Sequence, residues 1–61
     1  MNEILKYFDY VHLPEHLQEI SKLLGDVAYI MEDRLPDCTE KSAGLRKLLE
    51  AKDCFVRANL K

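Results

Sequence analysis

The sequence predicts an all-α fold, an antiparallel two-helix hairpin behind a short N-terminal arm, and three observations carry that prediction. Apolar residues in the middle of the chain recur at alternating spacings of four and three, the period of a helix face. Pro14 and Pro36 punctuate the chain into three segments. Only two glycines and two prolines occur among 61 residues, of which 48% are hydrophobic and 33% charged. That composition is too apolar for disorder and too poor in glycine for a loop-rich scaffold.

Residues 1–12 mix apolar and polar groups without a clean period and hold Tyr7, Phe8 and Tyr10, so they read as an aromatic arm with at most one helical turn. Residues 13–61 form the hairpin. Pro14 suits the start of the first helix, where its missing N–H would be unsatisfied anyway, and Glu15 and Glu19 complement the positive dipole end. Leu13, Leu17, Ile20, Leu24, Val27 and Met31 make a heptad-like seam, which Leu23 and Ile30 widen beyond what one partner helix covers. Leu35 and Pro36 end this helix. Asp37-Cys38-Thr39-Glu40 then matches a capping box that starts the second helix at Asp37. That helix is expected to run to about Asn59, with Leu45, Leu48, Leu49, Phe55 and Val56 as its apolar face and Lys52, Arg57 and Lys61 near its negative dipole end. So short a connection forces the helices antiparallel.

A chain this short buries only about 60% of the surface it exposes when unfolded, and such chains lean on disulfides, a metal or identical partners. Cys38 and Cys54 lie sixteen positions apart on one helix, about 24 Å, beyond disulfide reach. Both read as buried or interface thiols, with redox or metal roles as the alternative. Two helices cannot surround each other, so each leaves an apolar flank, and assembly into a homo-oligomer is the simplest remedy. Gly25 and Gly44 each cost about 1 kcal/mol in a helix and fall in the same region of the hairpin. Close helix packing explains them, or room for a ligand or a long arginine side chain.

Nine Lys and Arg against eleven Asp and Glu leave a formal charge of -2, which argues against binding long DNA or RNA. A small anionic ligand needs only a few placed cations. No apolar run approaches the roughly 18 residues of a membrane span, and Met1 to Tyr10 has no signal-peptide pattern, so the expected compartment is the cytosol. His12-Leu13-Pro14-Glu15-His16 spells an inverted zinc-protease signature, yet Pro14 places His12 before the helix. It reads as a capping or surface histidine pair, and neither a metal, a cofactor nor a catalytic residue is expected. Arg46, Asp53 and Arg57 share one face of the second helix, with Asp53 spaced to pair with Arg57, while Lys52 interrupts the apolar stripe. Solvated salt bridging accounts for that row, as does ligand or interface pairing.

The chain carries the runs Phe8-Asp9-Tyr10, His12-Leu13-Pro14-Glu15-His16-Leu17, Ser21-Lys22, Leu35-Pro36-Asp37, Glu40-Lys41-Ser42, Leu45 through Asp53, and Val56-Arg57-Ala58. Over about residues 8 to 60 they resemble the phage helical-hairpin family of anti-CBASS and anti-Thoeris nucleotide sponges. The segment holding Arg46, Ala51, Asp53 and Arg57 in register is the most specific part. The resemblance implies a non-enzymatic bacteriophage protein, working in the cytoplasm of the infected bacterial host, that sequesters immune second messengers without degrading them. Members assemble into homo-oligomers, commonly hexamers, and bind cyclic dinucleotides between protomers. Some also take cyclic trinucleotides on threefold axes. A longer branch with an extra N-terminal sheet domain binds cyclic ADP-ribose isomers, and this sequence shows no counterpart of that domain.

Carried onto this chain, the resemblance implies that Tyr10 stacks a base, that Lys22 pairs with a phosphate of a cyclic dinucleotide, and that Arg46 faces a symmetry axis. Phe8, Thr39, Lys41 and Arg57 are further ligand-binding candidates. Stacking suits any base, since each has a π-face, and each phosphodiester needs a cation. The rival from another class is a structural hairpin that binds a protein partner through its apolar flanks. A nucleic-acid-binding dimer is a third reading, opposed by the acidic balance.

Overall fold

The computed structural model describes residues 2–60. It is all-helical. A 3-10 helix over Glu3–Phe8 is followed by two α-helices, α1 (Glu15–Arg34) and α2 (Thr39–Ala58), which pack against each other.

The N-terminal segment is part of the core. Asn2 caps the 3-10 helix, its side-chain oxygen accepting the Ile4 N–H at 3.2 Å. With three residues per 3-10 turn, Leu5 and Phe8 fall on the same side. Each is only 1% exposed, and they join Ala28 and Leu45 in one cluster. The sequence predicts at most one helical turn here. Six helical residues form because the anchor at Asn2 and the two buried side chains at spacing three both favour this geometry.

α1 begins one residue after Pro14, whose carbonyl accepts from the Leu17 and Gln18 N–H groups at 2.9 and 3.0 Å. Gln18 Nε2 reaches back to the Leu13 carbonyl at 2.8 Å and satisfies the loop before the helix. At the other end Leu35 is extended, as a residue before proline prefers, and its N–H closes on the Met31 carbonyl.

The buried face of α1 is not the heptad-like seam. It is Leu17, Ser21, Gly25 and Ala28. Three of these are small, so the neighbouring backbone comes close: a Cβ placed on Gly25 would lie 3.4 Å from the Phe8 carbonyl oxygen and 3.6 Å from Phe8 Cβ. Gly25 therefore accommodates the arm, whereas Gly44 has nothing within 4 Å of a built Cβ. Close helix packing therefore does not explain Gly44, which borders an open groove with Val27 and Met31. Val27, Met31, Leu23 and Ile30 remain exposed, as does Phe55 on α2. The packed arm rotates α1's core face away from its widest apolar strip.

α2 starts at Thr39 and its N-cap is Cys38, whose Sγ accepts the Lys41 N–H at 3.4 Å. The predicted cap, Asp37, instead engages the Lys41 ammonium at 2.6 Å. A free carboxylate gains more from a cation than from one amide N–H, and the thiol takes the capping position. Cys38 and Cys54 are both exposed in the chain, which corrects the expectation of buried thiols. Asn59 ends α2 and clips it to the start of α1, donating from Nδ2 to the His16 carbonyl at 3.1 Å.

Lys41 locks the turn. Its side chain is buried, with Nζ 2.9 Å from Glu32 Oε1 and within hydrogen-bonding distance of the Glu32 and Leu35 carbonyls at the end of α1. Glu32 Oε1 receives no well-aligned hydrogen bond, so this approach is charge pairing. Glu32 Oε2 accepts the Asn2 N–H at 2.8 Å, and Asn2 Nδ2 reaches Ser42 Oγ at 3.1 Å. One polar knot thus ties the arm, α1 and α2 together.

The knot predicts a pH profile. Contact with Lys41, and then the Asn2 N–H, hold Glu32 below its ordinary 4.5, and Lys41 holds Asp37 below its ordinary 3.8. Lys41 is raised above 10.5 by Asp37 first and Glu32 second. Carboxylates with lowered folded-state pKa values stabilise the fold above their unfolded values and lose that contribution as pH falls through the folded ones. The raised lysine contributes fully below its unfolded value and loses its share as pH climbs through its folded one. The melting temperature should be level from about pH 5 to about pH 10 and fall on both sides. Lys41→Met should melt lower, since Glu32 loses its cation, and should show a shallower acid limb. Parallel acid limbs in the two proteins would contradict the assignment.

Candidate functional site

The arm and α1 enclose a cleft of about 290 Å³. Lys6 and Tyr10 border it from the arm side, and Gly25, Asp26 and Tyr29 from α1. The cleft exists for a local reason. Gly25 lets the arm backbone lie close at Phe8, and the chain beyond then turns out toward solvent, where Asp9 Oδ1 accepts the Val11 N–H at 3.4 Å.

Lys22 lies one helical turn before Asp26, with its ammonium 2.7 Å from Asp26 Oδ2 and both side chains 55% exposed. Its pKa is raised chiefly by that hydrogen bond and by the Asp26 charge, partial desolvation opposes the shift, and Tyr10 adds a smaller pull upward. Lys22 is not among the residues that line the cleft and stands beside it through its pair with Asp26, which is. Lys6 stands 5.2 Å from the centre of the Tyr7 ring, a cation–π distance.

Of the other candidates Phe8 also lines the cleft, but it belongs to the core and is 1% exposed, so little of its ring is open to a ligand. The rest lie elsewhere. Lys41 is buried and committed to the turn. Thr39 opens α2 at that same turn and is exposed. Arg46 is exposed on α2 and makes no ion pair or side-chain hydrogen bond among the described residues. Arg57, expected to pair with Asp53, places Nη2 3.4 Å from Cys54 Sγ instead, and Asp53 accepts from Lys52 at 2.8 Å. Lys52 is buried, so the residue that interrupts the apolar stripe folds inward beside its carboxylate neighbour.

Sequence reasoning passes over Lys6, Asp26 and Tyr29. A signal for two of them exists. Lys22, Asp26 and Tyr29 follow at i, i+4 and i+7, a polar and aromatic stripe one position behind Ser21, Gly25 and Ala28. Nothing in that spacing says that the arm closes over it.

The cleft lining thus combines two tyrosines, Tyr10 and Tyr29, with the cation Lys6 and the carboxylates Asp9 and Asp26. Among the described residues no group of three or more His, Cys, Asp or Glu side chains is disposed to hold a metal ion. Nor is any described helix long and apolar enough to cross a membrane. The chain finds no match among protein-family models, curated proteins or solved structures.

Proposed function

We propose that this protein is a non-enzymatic sponge that captures cyclic dinucleotides, and through a second site cyclic trinucleotides, as a homo-oligomer in the cytoplasm of a phage-infected bacterium, so blunting CBASS-type immunity. The observation that carries the reading is a cleft lined by Tyr10 and by Asp26, the carboxylate to which Lys22 is paired at 2.7 Å. An aromatic face beside a cation is what a nucleotide base and its phosphate require.

Size supports assembly. Small-molecule sites span about 300 to 1,000 Å³, so a cleft of about 290 Å³ has room for one nucleotide and falls short of a two-base ring. A second copy would complete it. The hairpin face away from the arm has the apolar surface for such contact: Leu23 is 60% and Phe55 53% exposed, and they border a groove of about 350 Å³ with Ile20 and Leu24. A second groove of about 290 Å³ continues the strip past Val27 and Met31. Arg46, exposed and unpaired among the described residues, supports the trinucleotide part, since a free guanidinium fork suits a phosphodiester.

The same apolar face favours the rival, a hairpin that docks on another protein. A thermal-shift series against cyclic di- and trinucleotides separates the two. Ligand at about 100 times its Kd should add about 2.7 kcal/mol, about 10 to 20 °C for a chain of this size, and the shift should keep rising with ligand concentration. A melting temperature unmoved by every ring would leave the docking module as the better account.

A further inference from the structure

Two carboxylates border the cleft, and they are differently occupied. Asp9 uses Oδ1 to hold the turn through the Val11 N–H. Asp26 stands on the rigid α1 next to Gly25, and its Oδ2 accepts from Lys22 at 2.7 Å. Its other oxygen, Oδ1, accepts no hydrogen bond among the described residues. The Lys22 pair is exposed and so weak, and an ammonium has three donors, enough to keep Asp26 and add a phosphate.

We propose that Asp26 makes the cleft selective for guanine. This deepens the sponge reading and rests on it. An ionised carboxylate only accepts hydrogen bonds, and its two oxygens form a fork. Guanine's Watson–Crick edge presents two adjacent donors, N1–H and the 2-amino group, which match that fork. Adenine presents one amino group beside the N1 lone pair, which the carboxylate repels. Cytosine repeats that pattern with its amino group and N3, and uracil offers a single N–H between two carbonyls. With Tyr10 and Tyr29 beside the bound base and Lys22 on its phosphate, Asp26 completes a set of groups that holds guanine better than any other base.

Calorimetry with cyclic di-GMP and cyclic di-AMP on the wild type, Asp26→Asn and Asp26→Ala tests the assignment. Asp26 is exposed, so both variants should melt with the wild type when no ligand is present. The wild type should prefer cyclic di-GMP by about tenfold or more. Both variants should lose that preference, weakening for cyclic di-GMP while holding cyclic di-AMP as well as before or better, since an anion near the phosphates is gone. Equal wild-type affinity for the two rings, or equal weakening of both in the variants, would overturn the role given to Asp26 and leave the sponge reading standing. Uptake of no cyclic nucleotide by the wild type would overturn the reading beneath it.

Discussion

Phe8→Ala should cost the chain from about a third to all of its folding stability. Phe8 is 1% exposed and packs in the one cluster that joins the arm to both helices, through Leu5, Ala28 and Leu45. Emptying such a site costs about 3 to 5 kcal/mol. A 61-residue chain at about 0.05 to 0.15 kcal/mol per residue has only about 3 to 9 kcal/mol to lose. Far-UV circular dichroism at fixed protein concentration reads the outcome, and a cooperative melt close to that of the wild type would show that the arm is not core. Phe8→Leu separates structure from recognition: it should fold and still bind ligand, because the ring that it removes does not reach the surface.

The second large effect is a division of labour between the cleft and Arg46. Tyr10→Ala removes the stacking surface, worth about 1 to 3 kcal/mol per base, and should weaken cyclic dinucleotide capture by one to two orders of magnitude. Lys22→Ala removes the ammonium paired to the cleft residue Asp26 and should act in the same direction. Both should leave trinucleotide capture standing. Arg46 lies on α2 outside the cleft lining and is unpaired among the described residues, so Arg46→Ala should do the reverse. Three copies about a threefold axis would each lose a charge-assisted contact of about 1.5 to 3 kcal/mol, enough to abolish trinucleotide capture nearly completely. Calorimetry on the three variants decides it. If each substitution weakened both ligand classes equally, the two sites would be one.

The helical hairpin is legible in the sequence because Pro14, Pro36 and the apolar period of the first helix act locally, and local rules place α1 and α2 to within a residue or two. The core face of α1 is not, because the period of Leu17, Ile20, Leu24, Val27 and Met31 gives the widest apolar strip and cannot say which neighbour covers which part of it. Ser21, Gly25 and Ala28 win the core through smallness, a reason that appears only once the arm is in place. The arm escapes notice because two 3-10 turns are too short to display a period, although Leu5 and Phe8 at spacing three, behind Asn2, are consistent with one. Lys41 and Lys52 defeat the rule that charges face water. Each is buried against a carboxylate, Glu32 or Asp53, and spacing alone does not reveal either pairing.

Of the site, Tyr10 and Lys22 come from the resemblance; Tyr10 lines the cleft, and Lys22 stands outside the lining, paired to Asp26. Asp26 and Tyr29 follow Lys22 on the same helix face but gain meaning only when Lys6 and Tyr10 close the other side. Thr39 and Lys41, at the start of α2, and Arg57, in its last turn, do not line that cleft.

Native mass spectrometry of the protein mixed with cyclic dinucleotides tests the central claim most directly, because one spectrum reports assembly, ligand stoichiometry and ligand mass. The account predicts a homo-oligomer that carries intact rings in a fixed ratio to its protomers, and the same intact rings released on collisional heating after overnight incubation. A monomer without ligand, or an assembly that releases linearised nucleotide, would contradict it.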